Sequence, residues 1–197
     1  MGAGDERRAP VSAAREELLA RVMDHVAAHG LSDASLREIA DAVGTSHRML
    51  NYHFGGRAGL VAAIVEAMEA RQREALRTLA EGATSPTEVM RAQWSELSRP
   101  ELAPFVRLFF EVAALALHGR PGTEGFLADL TEPWLALAGG LAADLDAEVS
   151  ADELRLGVAV VRGLLLDATA SGDPAAAGRA FARFLELWDG ARVGPAT

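Results

Sequence analysis

Between Thr45 and Arg57 the sequence runs T-S-H-R-M-L-N-Y-H-F-G-G-R, a stretch dense in side chains that donate or accept hydrogen bonds. An arginine guanidinium matches O6 and N7 of guanine, and an asparagine amide matches N6 and N7 of adenine. Arg48 and Asn51 are therefore the candidates for reading base edges. Thr45, Ser46 and His47 fan out at the same end of the segment. Tyr52, His53 and Arg57 lie further along and suit phosphate contacts, which position a protein on a duplex without specifying sequence. Ser35 and Arg37 lie upstream, where the free N–H groups and dipole of a helix start favour an anion.

Chemistry of this kind needs short helices held at a fixed angle. Leu18, Val22 and Val26 recur four apart, with Leu19 and Met23 beside them, which predicts an amphipathic helix after Ser12 that Gly30 stops. Ser35 and Glu38 make the S-x-x-E capping pattern and open a short helix with Leu36, Ile39 and Ala40 inward. Gly44 interrupts it, and Ser46 caps a second short helix with Leu50 and Phe54 inward. Two short helices joined by a glycine-containing turn and braced by a third are the parts of a helix-turn-helix. Its second helix places N-terminal residues in the major groove of double-stranded DNA.

The segment Gly30 to Leu60 resembles the signature of the tetracycline-repressor (TetR) family. The residues that carry the likeness are Ser35, Ile39-Ala40, Gly44-Thr45-Ser46, Leu50-Asn51-Tyr52-His53-Phe54 and Gly56-Arg57-Ala58 before Leu60. Four departures stand out. Asn51 replaces a habitual tyrosine, Arg48 a habitual glycine, Arg57 a lysine, and Gly56 with Ala58 a serine cap and its acidic neighbour. The resemblance implies a homodimer on a palindromic operator, acting as a repressor that a small-molecule effector releases. An activator or ligand-free regulator with the same head is one alternative. A helical small-molecule binding protein or enzyme with a vestigial head is another.

Beyond residue 60 the pattern stays helical. Helices are expected over about 58–80, after the Ser85-Pro86-Thr87-Glu88 cap, through the apolar run to Leu117, over about 123–145, from the Ser150–Glu153 capping box to about 169, and over 174–188. The expected fold is all-α with about nine helices. Residues 1–60 form the DNA-binding head, and residues 61–197 the ligand-binding and dimerisation body. Leu154, Val158, Val161 and Leu165 on one helix and Phe181, Phe184, Leu185 and Trp188 on the next present wide apolar arcs, which predict a four-helix dimer interface. For the effector, Trp94, Phe110 and Trp134 are the apolar candidates, and Arg107, Glu111 and His118 the polar ones.

Composition narrows the classes further. The net charge of −9 argues at first against nucleic acid, but the acidity is uneven. Residues 1–60 carry seven arginines against eight acids, and the remainder twelve against twenty. A near-neutral head can bind a polyanion if its arginines share a face. There is no cysteine, so thiolate metal sites and disulfides are excluded. His25 and His29 stand four apart without an evident third ligand, and no P-loop, dinucleotide or nucleophile-elbow motif occurs. No cofactor, no metal and no catalytic residue is expected. No apolar run is long enough to span a membrane, and the first residues lack the apolar core of a secretory signal, so a cytoplasmic location is expected.

Overall fold

The computed structural model describes residues 8–192, with side chains from 13 to 190. Ten α-helical segments and a 3-10 turn account for the order of elements, and no strand occurs among the described residues. They are α1 (Arg8–His29), α2 (Leu36–Ala42), α3 (His47–Phe54), α4 (Arg57–Ala80), α5 (Pro86–Leu97), the 3-10 turn Pro100–Leu102, α6 (Ala103–Leu117), α7 (Phe126–Asp129), α8 (Glu132–Asp144), α9 (Ala151–Ser171) and α10 (Pro174–Arg192).

The caps form where the serine patterns place them. Ser35 and Ser150 complete reciprocal capping boxes with Glu38 and Glu153, and the Ser46 and Ser85 side chains accept from Met49 and Glu88 N–H groups. Two expectations are corrected. Helix α1 already runs from Arg8, so Ser12 lies within it. The single helix expected over 123–145 is two, because Pro133 sits in the first turn of α8 and lacks the N–H that would continue a helix from α7.

The chain divides into two compact units. Among the described residues, one comprises 8–69 and 108–127, the other 70–107 and 128–192. In the first, Leu18, Val22, Val26, Leu31, Ile39, Leu50, Leu60 and Ile64 are buried and close the core around α1 to α4. Val112 and Phe126, from α6 and α7, are also buried in that unit. In the second, Trp94 stacks on Phe181 with ring centroids 4.7 Å apart, and Phe184 meets Trp188 edge-on at 5.5 Å. A smaller cluster joins Leu76, Val89 and Trp134, flanked by Ala80, Ala83, Leu137 and Leu141. No helix among the described residues is long and apolar enough to cross a membrane.

Candidate nucleic-acid interface

Helix α2 is held at its start by a two-way bond. The Ser35 hydroxyl accepts Glu38 N–H at 3.2 Å while the Glu38 carboxylate accepts Ser35 N–H at 2.8 Å. The Ser35 hydroxyl, and then its N–H, hold the Glu38 carboxyl below its ordinary value. That cap is therefore present above the ordinary carboxylate pKa and is lost as pH falls through the lowered folded value. Val43 ends the helix, Gly44 turns the chain at φ +70°, and Thr45 N–H returns to Ala40 O at 2.9 Å. After this turn the Ser46 hydroxyl accepts Met49 N–H at 3.1 Å and starts α3.

Leu50 and Phe54, four apart, bury one side of α3. Burying two such side chains is worth roughly 1.5–3 kcal/mol each and fixes the helix about its own axis. The opposite side is open. Ser35, Arg37, Ser46, His47, Arg48 and Tyr52 are exposed, and Thr45, Asn51, His53 and Arg57 are half-buried. None of the ten residues singled out for DNA contact is packed away. Asn51 Nδ2 lies 3.1 Å from His47 Nδ1, one turn away on the same side. Tyr52 is 69% exposed and meets His53 edge-on at 5.0 Å.

Two expected roles are corrected. Arg57 was placed on phosphate, but its Nε donates to Ala34 O at 3.2 Å and its Nη2 to Leu31 O at 2.7 Å and Ser32 O at 3.0 Å. Its fork is committed to the turn between α1 and α2. Glu111 was placed in an effector pocket, but its carboxylate accepts Leu31 N–H at 2.9 Å, together with the N–H and hydroxyl of Ser32. The same turn is thus gripped by its carbonyls from α4 and by its amides from α6. Sequence reasoning also missed Arg15, which donates from Nε to His53 O at 3.3 Å and lies over the Phe54 ring at 5.1 Å. It braces the C-terminal end of α3. A lone acid within the apolar run of α6 was the available signal for Glu111. Nothing in the linear pattern pointed to Arg15.

The remaining effector candidates are divided between the units. Trp94, Arg107 and Trp134 belong to the second, and Phe110, Glu111 and His118 to the first. Trp94 and Trp134 are buried, Phe110 is half-buried, and Arg107 and His118 are exposed. The His25 and His29 rings stack at 4.5 Å, with His29 Nδ1 2.9 Å from His25 O.

A capped, glycine-jointed pair of short helices with an open polar face is the geometry of a DNA-reading head. Residues 13–64, which span it, match the family described as bacterial regulatory proteins, tetR family. The family match covers the head alone. Solved structures carry the same fold over nearly the whole length. A TetR-family transcriptional regulator from Rhodococcus sp. is 22% identical with a TM-score of 0.68, covering 89% of this chain and 96% of its own. A second Rhodococcus sp. transcriptional regulator is 21% identical with a TM-score of 0.75, covering 88% and 94%. A TetR-family regulator from Pectobacterium atrosepticum is 22% identical with a TM-score of 0.65, covering 92% and 94%. No curated protein matches the sequence. The head is thus similar to the N-terminal part of bacterial regulatory proteins of the tetR family, and the solved structures show that the whole chain shares the fold of proteins described as transcriptional regulators.

Proposed function

We propose that this protein is a cytoplasmic transcriptional repressor that binds a palindromic operator as a homodimer and is released by a small-molecule effector. Residues 1–60 read the DNA, and residues 61–197 bind the effector and join the two copies. The observation that carries the reading is α3, with Leu50 and Phe54 buried beneath it and Ser46, His47, Arg48 and Tyr52 open above it. One such helix covers a half-site in one major groove, and a twofold partner covers the next.

The dimer face proposed here differs from the one expected. Val161, Leu165, Phe181, Leu185 and Trp188 are buried within the protomer, and Leu154, Val158 and Phe184 are half-buried. These arcs close the protomer's own core. The apolar surface that remains is on the other side of α9, where Leu156 is 53% and Leu166 49% exposed with Ala159 and Gly163 open between them. A side chain added at Gly163 would meet nothing within 4 Å, so a second backbone has room to approach. On α10, Leu187 is also exposed, at 57%. Residues 156, 159, 163 and 166 fall on one helical stripe, and a self-complementary stripe suits a twofold partner.

Support for an effector comes from the second unit. The buried indole N–H groups of Trp134 and Trp188 have no hydrogen-bond partner. The one buried polar residue described in that unit, Thr87, already donates to Asp189 at 2.6 Å. An apolar molecule bearing an uncharged acceptor suits such an interior, since an unmet buried donor costs about 1–3 kcal/mol.

Leu166→Glu tests the assembly. The wild type is expected to sediment as a dimer at micromolar concentration, and the variant as a folded monomer with operator affinity reduced by at least about tenfold, since the second half-site no longer binds intramolecularly. A monomeric wild type, or a variant that remains dimeric, would overturn the assignment of this face.

A further inference from the structure

We infer that Met49 reads the 5-methyl group of a thymine in the operator. The inference rests on the proposed DNA reading and names a specificity determinant within it. Met49 is 41% exposed, although it lies in a helix whose apolar side is already closed by Leu50 and Phe54. A single exposed methionine is ordinary on a protein surface. This one is the third residue of α3, and its backbone N–H is fixed by the Ser46 hydroxyl at 3.1 Å. Side chains on a helix lean toward its N-terminus, so the thioether at this position covers the first turn of α3. That turn is the end of a recognition helix that meets base edges.

The major groove offers hydrogen-bonding groups on every base pair and a single apolar group, the thymine methyl. His47 and Arg48, the neighbours of Met49 on the first turn, are polar and can pair with donors, acceptors or phosphate. Met49 can pair with none of these to advantage. A thioether desolvated against a donor or an anion would cost free energy, whereas against a methyl it gains contact on both sides. Methionine is also unbranched and polarisable, so it can adapt to the position of a single methyl.

The experiment uses full-length wild type, Met49→Ala and Met49→Leu, and an operator recovered from random duplex DNA by selection with the wild type. Each thymine of one half-site is replaced in turn by deoxyuridine, which removes the 5-methyl and leaves pairing intact. Loss of one buried methyl corresponds to about a three- to fivefold weakening. The wild type is expected to show that loss at one thymine. Met49→Ala is expected to bind the unmodified operator weaker by a similar factor and to be indifferent to deoxyuridine at that position, whereas Met49→Leu keeps the sensitivity. A wild type that tolerates every deoxyuridine within twofold overturns the inference, as does a Met49→Ala protein that remains as sensitive as wild type. A wild type that enriches no sequence would overturn the DNA reading itself, which is a separate failure.

Discussion

Gly59→Ala is expected to lower the melting temperature by roughly 6–12 °C, and operator affinity with it. Gly59 lies in the first turn of α4, and a β-carbon there would sit 1.8 Å from Phe54 O and 3.0 Å from Phe54 C. Both are backbone atoms, so no side-chain rotation relieves the overlap. Phe54 is the residue that anchors the far end of α3, so α4 can move away only by dragging the anchor or opening the head. Overpacking of a closed core costs about 1–3 kcal/mol and occasionally more, and a contact this short belongs at the upper end. For a chain of this size each kcal/mol shifts the melting temperature by about 2–4 °C. Gly125→Ala is the control, because a β-carbon there meets nothing within 4 Å and the residue is exposed. Its effect should stay within about 0.5 kcal/mol. Thermal unfolding of the two variants beside the wild type checks this, and equal melting temperatures would show that the α3–α4 junction is not close-packed.

Glu111→Ala should destabilise the first unit by roughly 2–4 kcal/mol, through the amides it leaves unmet. Leu31 is fully buried, and its N–H lies 2.9 and 3.0 Å from the two Glu111 oxygens. Without that carboxylate the amides of Leu31 and Ser32 lose a charged acceptor, while Arg57 still draws on the carbonyls of the same turn. Glu111→Gln keeps one acceptor oxygen but places an amide group where the other stood, so about half the loss is expected. Hydrogen exchange reports the site directly. The Leu31 and Ser32 amides should exchange faster in Glu111→Ala than in the wild type, with Glu111→Gln between them. Unchanged protection at both amides would mean that the clasp contributes nothing to holding the turn.

These two residues show which features were legible in the sequence. Ser35 with Glu38, and Ser150 with Glu153, are reciprocal caps whose partners lie three residues apart, and the structure forms both. The inward turn of Leu50 and Phe54 follows from a four-residue spacing in the same way. The Glu111 clasp spans 80 residues and the Arg57 bonds span 23 to 26, and no local periodicity encodes such pairings. The burial of the α9 and α10 arcs within the protomer was illegible for a different reason. Helices α9 and α10 carry apolar residues around a wide arc, so periodicity marks them as buried without telling the protomer's own core from a partner. The bulkier residues, Phe181, Leu185 and Trp188, went to the core, and the more modest Leu156, Ala159, Gly163 and Leu166 were left outside. The break between α7 and α8 had its signal in Pro133, which the apolar pattern over 123–145 runs straight through. For the residues proposed to contact DNA, helix register and exposure were both readable. Whether a guanidinium reaches outward or folds back onto carbonyls was not, and Arg57 shows the difference.

Base reading by the outer side of α3 makes Arg48→Ala a specificity variant rather than a general loss of affinity. Affinity should be measured for wild type and variant on the selected operator, on every single base-pair substitution of one half-site, and on random duplex. The variant should lose about 1–3 kcal/mol on the operator, change little on random DNA, and relax its discrimination at one base pair alone. Equal losses on operator and random DNA, with discrimination intact at every position, would show that Arg48 reads no base.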